Sequence, residues 1–188
     1  PSNVIPISIG GDHSFTLPIL EALYLKRAKP FTVIQLDNHL DIQLWGEFTL
    51  DNQPKKLDKV SHSNFISWMH NKMPELKLLQ LGVSEYQSIG EISQETYIGN
   101  YLSNIGAQIT DVDILLSHSI SEILDKIPID TVVYLTIDVD VINSSVMKQT
   151  GFPSPTGITY QQLYQITKAI CERNNIIGID IMEFGGSH

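Results

Sequence analysis

Four short segments of this 188-residue chain carry side chains suited to holding divalent cations. They are Gly10-Gly11-Asp12-His13-Ser14, Asp37-Asn38-His39-Leu40-Asp41, Asp138-Val139-Asp140 and Asp180-Ile181-Met182-Glu183. In extended backbone, residues two apart point the same way, so Asp37, His39 and Asp41 can aim at one centre, as can Asp138 and Asp140. Carboxylate oxygens together with imidazole nitrogens suit a borderline divalent ion such as Mn²⁺. Two histidines and four aspartates exceed the needs of a mononuclear catalytic zinc and match two ions sharing bridging carboxylates. Taken singly, a strand-end aspartate is as often a helix cap or turn former. The convergence of four such segments favours the metal reading.

Each segment follows an apolar run. Residues 4–9, 31–36, 76–83, 131–137 and 176–181 are rich in Val, Ile and Leu with little alternation, as in strands buried on both faces of a sheet. Helical spacing fills the intervals at 17–26, 65–73, 96–105, 120–127 and 160–172, whereas 43–61 and 141–157 read as loops. Alternating strand and helix predict a three-layer αβα fold around a mainly parallel sheet, with ligands at the carboxyl ends of the strands. Residues 1–184 read as one catalytic domain, and Gly185-Gly186-Ser187-His188 reads as a tag or linker remnant.

A formal charge of −9 disfavours nucleic acid, which needs clustered Lys and Arg, and suits a cationic substrate. The 42% hydrophobic content contains no apolar run of membrane-spanning length. Cys171 is the only cysteine, which rules out an internal disulfide and fits a cytoplasmic location. Composition leaves homo-oligomerisation open. Gly10-Gly11 is not a phosphate loop, because Asp12 would repel an anion and no Lys follows.

The four motifs, in this order, resemble those of the ureohydrolases, the arginase and agmatinase family, over nearly the whole chain from Val4 to Glu183. The resemblance implies that His13, Asp37, Asp41 and Asp138 hold one Mn²⁺. It assigns the other to His39, Asp37, Asp138 and Asp140, with Asp37 and Asp138 bridging. A hydroxide generated between two such ions would attack a guanidinium carbon and release urea and an amine. By the same match Glu183 orients the cationic guanidinium, Asp41 passes a proton to the leaving amine, and His62 shuttles protons to bulk water. Asp12 and Asp180 read as groups that orient ligands or cap turns.

Several positions depart from the family's usual text. Asn38 stands for the common Ala, Ser63-Asn64 for the Gly after the shuttle histidine, and Phe152 for a threonine that helps frame the guanidinium. The chain is also shorter than typical members, so segments before the first strand and after the last are expected to be missing. The groups that recognise the ends of free arginine are not recognisable at Gln43-Leu44-Trp45 or Asp58-Lys59-Val60. That favours an arginine side chain within a peptide, converted to ornithine as in the peptide arginases, and free arginine recognised by other residues is the near alternative. Agmatinase- and formiminoglutamase-type substrates are the alternatives. A mononuclear zinc deacetylase-like amidohydrolase and a non-catalytic metal-binding domain are the readings from other classes. The first has no need of His13, Asp41 and Asp140 together, and the second none of Glu183 and His62.

Overall fold

The computed structural model describes residues 4–42, 59–84 and 102–185. Its strands are β1 (Ile7–Ile9), β2 (Thr32–Leu36), β3 (Lys77–Val83), β4 (Gln108–Asp111), β5 (Val132–Asp138) and β6 (Asn175–Met182). They form one sheet in the order β1-β6-β5-β2-β3-β4, and every neighbouring pair is parallel. The helices are α1 (Thr16–Arg27), α2 (Phe65–Lys72), α3 (Val112–Ser117), α4 (Ile120–Leu124) and α5 (Tyr160–Arg173). None of these is long and apolar enough to cross a membrane.

Alternation along the strands divides the core into two layers. Val33, Leu78 and Tyr134 pack with Leu17 and Leu20 of α1 and Phe65, Ile66 and Met69 of α2. Ile34, Leu79 and Leu135 face the other way, onto Val112, Leu115, Ile123, Ile166 and Ile170 from α3, α4 and α5. The central strands are apolar on both sides because helices cover both sides. Helix ends are signalled locally: Thr159 and Gln162 form a capping box that starts α5, and Ala28 closes α1 in left-handed conformation.

The structure differs from the sequence expectation at the edges. β1 begins at Ile7 rather than Val4, and β4 with α3 forms a strand–helix unit that the apolar pattern did not signal. The helix expected at 96–105 lies largely outside the described residues.

After β5 the chain makes a 3₁₀ turn at Val139–Val141 and then a long loop. The loop's two ends are clamped by Ile158 N donating to Val141 O at 2.8 Å and Asn143 N donating to Ile158 O at 3.0 Å. Gly157 sits in this clamp, where a Cβ would lie 2.3 Å from Asn143 N and 2.4 Å from the carbonyl carbon of Ile142. Both are backbone atoms, so neither can swing away. Gly157→Ala should therefore lower the thermal midpoint by roughly 5 °C or more, as overpacking in a domain of this size does. Gly11→Ala, which meets no atom within 4 Å, should leave the midpoint nearly unchanged. Equal calorimetric midpoints for the two variants would contradict this account of the clamp.

Candidate metal centre

All four motifs end up at the carboxyl edge of the sheet, because parallel strands deliver their last residues to the same side. Asp37 follows β2, Asp138 closes β5, and Glu183 follows β6. His13 opens the 3₁₀ turn His13–Phe15 after β1. β5 and β2 are adjacent, so Asp37 and Asp138 start side by side.

Three carboxylates converge on one imidazole nitrogen. Nδ1 of His13 lies 3.2 Å from oxygens of Asp37, Asp41 and Asp138. A second cluster adjoins it, with Nδ1 of His39 2.9 Å from Asp140 and 3.7 Å from Asp37. Asp37 thus belongs to both groups: the candidate ligand atoms of His13, Asp37 and Asp138 lie within 4.8 Å of one another, as do those of Asp37, His39 and Asp140.

Backbone amides aim the carboxylates. His39 N donates to Asp37 Oδ1 at 2.6 Å, Asp140 N to Asp138 Oδ1 at 2.9 Å, and Asn38 N to Asp140 Oδ1 at 3.2 Å. Nε2 of His13 faces the Thr136 hydroxyl at 2.8 Å. With the ring proton on Nε2, the Nδ1 lone pair points into the carboxylate cluster.

The remaining sequence candidates line the mouth. Glu183 Oε1 accepts from His13 N at 2.7 Å, and its backbone is held in left-handed conformation by Glu183 N donating to Gly11 O at 2.6 Å. Nδ1 of His62 lies 3.3 Å from Asp12 Oδ2, and Asp12 also caps the His13 turn by accepting from Ser14 N. Asp12, His62 and Glu183 form a third group of converging ligand atoms, more exposed than the other two. Phe152 stands beside both imidazoles, with ring centroids 5.8 Å from His62 and 6.1 Å from His39.

Comparison with known proteins agrees with this geometry. Residues 2–186 match the arginase family. The chain belongs to the arginase family. Among relatives, an agmatinase of Chromobacterium violaceum is 28% identical over 184 residues, covering 97% of this chain and 51% of the relative. An agmatinase of Blochmanniella floridana is 31% identical over 179 residues, covering 93% and 50%. A crystal structure described as a hypothetical agmatinase from Burkholderia thailandensis superposes with a TM-score of 0.73 at 23% identity, covering 98% of this chain and 52% of that one. The chain therefore spans about half the length of the relatives it matches.

Of what lies under this arginase-family centre, sequence reasoning singled out Asp180 and missed Gln35, Gln80 and Thr136. Gln80, Gln35, Thr136 and Asp180 form a register row across β3, β2, β5 and β6, and all four are fully buried. Gln35 Nε2 donates to Asp37 at 2.5 Å and to Asp41 at 3.1 Å, while Gln80 Nε2 donates to Gln35 Oε1 and to Leu40 O. Asp180 accepts from Tyr134 at 2.6 Å and from Thr16 at 2.9 Å. The signal was a polar residue two places before a motif aspartate, as in Gln35-x-Asp37 and Thr136-x-Asp138. Asn38 is buried too, bonded to the Ser84 hydroxyl, and ties the end of β2 to that of β3.

The donor set fits divalent cations. Burial and the charge of Asp37 hold Asp41, Asp138 and Asp140 above the usual carboxylate range. Burial would depress both imidazoles, but Asp138, Asp37 and Asp41 overcome it and raise His13 well above its ordinary value. At His39 burial is likewise outweighed, by Asp140 and Asp37, and its pKa is pushed up to about 11. Shared protons are thus the substitute for shared cations.

The pH dependence of the metal-free protein follows from those directions. A histidine whose pKa rises on folding stabilises the fold below its unfolded value near 6.5, and this is lost as pH rises towards about 11. Under chelation the thermal midpoint should therefore fall progressively above pH 6.5, with divalent ion flattening the profile and His39→Asn reducing its slope. A midpoint that rises over that range in chelator would contradict the assignment.

Proposed function

We propose that this chain is the catalytic part of a dinuclear-metal hydrolase that cleaves a C–N bond of a guanidinium group, yielding urea and an amine, with residues 1–184 acting as one unit. The observation that carries this reading is Asp37 shared between the His13 and His39 clusters beneath a mouth lined by Glu183 and His62. One shared carboxylate between two histidine-bearing groups suits two ions. A lone zinc of the deacetylase kind would need one cluster only.

Two Mn²⁺ held by His13, Asp37, Asp41 and Asp138 and by His39, Asp37, Asp138 and Asp140 would make hydroxide available near neutral pH. The chain's own groups do the rest. Glu183, anchored to the amide of His13, offers a carboxylate oxygen to the planar cation and fixes the carbon to be attacked. Asp41 takes the proton of the attacking water and delivers it to the leaving amine, because the buried Gln35 amide holds its carboxylate in place. Half-exposed His62, oriented by Asp12, returns protons to bulk water.

The substrate class is an alkylguanidine. An arginine side chain, free or within a peptide, is the reading from the sequence, and agmatine is supported by the names of the relatives. Residues 43–58, where recognition of the distal end was sought, lie outside the described residues. A urea-release screen across arginine, agmatine, guanidinobutyrate and arginine-containing peptides, with formamide release followed for formiminoglutamate, discriminates among them, and mass spectrometry reports conversion of peptidyl arginine to ornithine. Higher kcat/KM for free arginine or agmatine than for every peptide would discard the peptide reading.

Substitutions separate the roles. Metal analysis of the Mn²⁺-reconstituted chain should approach two ions, and Asp140→Ala should lose one. His62→Ala should keep both and slow turnover by roughly 10²-fold, the scale of a proton-transfer group. Glu183→Gln should bind metal normally and lose most activity, since a neutral amide cannot pair with the cation. A stable content of one zinc, or equal metal loss in all three variants, would overturn the proposal.

A further inference from the structure

The loop clamped at Gly157 brings an aromatic ring to the mouth of the centre. Phe152 is 59% exposed, yet its ring is placed: it lies edge-on to His39 at 76° and tilted to His62 at 37°. The backbone before it runs beside the carboxylate assigned to guanidinium binding, since a Cβ at Gly151 would lie 3.5 Å from Glu183 Oε2. Gly185 N donates to Gln149 O at 3.1 Å and ties the same loop to the chain beyond β6. Ring and carboxylate are therefore held by two parts of one anchored unit.

We propose that Phe152 is a specificity-determining residue that selects planar guanidinium cations over compact ammonium cations by stacking beside Glu183. This rests on the hydrolase reading above and adds the means of recognition. A carboxylate alone is a poor discriminator, because it attracts any cation. Guanidinium is planar and weakly hydrated, so it gives up water readily to lie on an aromatic face, whereas an ammonium is a strongly hydrated point charge. Ring and carboxylate together read both properties. The carboxylate, through the oxygen that the His13 amide leaves free, accepts N–H groups in the guanidinium plane, and the ring meets the face of that plane. Shielding of His39 and His62 from water is the competing role, and it needs only an apolar side chain of similar bulk.

The test uses the Mn²⁺-loaded chain with Phe152→Leu, which keeps apolar volume and removes the ring's quadrupole, and Phe152→Trp, which keeps it. Metal content should stay at the wild-type value in both. In Phe152→Leu, kcat/KM for the best guanidinium substrate should fall about 3- to 30-fold, chiefly through KM, while Phe152→Trp stays within about threefold. Calorimetry with butylguanidinium and butylammonium should show a preference for the former in the wild type and Phe152→Trp, lost in Phe152→Leu. Wild-type kinetics and binding in Phe152→Leu, equal losses in Leu and Trp variants, or no guanidinium preference in the wild type would each overturn the inference. If no guanidinium compound releases urea but the ring-dependent preference is present, the hydrolase reading fails and the recognition inference stands. Urea release with unchanged Phe152→Leu behaviour upholds the hydrolase reading and overturns the recognition inference.

Discussion

Four carboxylates and two imidazoles share the buried edge of this sheet, and they cannot neutralise one another. Asp37, Asp41, Asp138 and Asp140 carry four negative charges when ionised, and His13 and His39 supply at most two positive ones. Isolated buried charge is among the costliest features a fold can hold, and it persists only where protons, partners or metal ions offset it. The remaining architecture is organised around that excess. With neutral imidazoles, two divalent ions balance four carboxylates with nothing left over.

A parallel sheet meets the constraint because each strand releases its acids at the same edge. β2 and β5, adjacent at the centre, bring Asp37 and Asp138 together, and the 3₁₀ turn after β5 folds Asp140 back over the pair. Beneath them the row of Gln80, Gln35, Thr136 and Asp180 replaces apolar contacts with hydrogen bonds at the positions nearest the acids. Leaving such groups unpaired inside a core is costly, and here glutamine amides and hydroxyls link strand to strand, while Gln80 Oε1 and Asp180 Oδ1 have no hydrogen-bond partner among the described residues. Asp41 and Glu183 both adopt left-handed backbone without being glycine, a cost that recurs where a side chain must be aimed rather than merely packed.

The central strands were legible because runs such as Thr32–Leu36 are buried on both faces and leave no alternation to confuse with a helix. The convergence of ligand types at their ends was legible because Asp-x-His-x-Asp and Asp-x-Asp spacing combines two signals, a strand end and a ligand type, that seldom coincide. β4 was not, since Gln108-Ile109-Thr110-Asp111 is four residues at the sheet edge with only Thr110 fully buried. The buried row was hidden for a different reason. A glutamine within a strand reads as a solvent-facing residue until the register shows that its neighbours on both sides are polar too. Specificity was least legible, because it depends on where loops lie, and local pattern does not encode the path of residues 143–157.

The two halves of the candidate site are built from unlike parts. The clustered acids and imidazoles come from strand ends and tight turns locked by backbone amides, so a substitution there disturbs charge balance and core together. Phe152 comes from a loop held by a few backbone bonds, and His62 from a turn outside the sheet, where a change alters the mouth and leaves the buried charges as they were. Glu183 belongs to both. Its amide is pinned by the Gly11 carbonyl and its carboxylate by the His13 amide, so the group proposed to meet the substrate is aligned by the same turn that presents the His13 imidazole to the carboxylate cluster. On the proposed roles, a change at position 152 alters the mouth and spares the buried charges, whereas a change at 183 that removes the acceptor also frees the turn that presents His13.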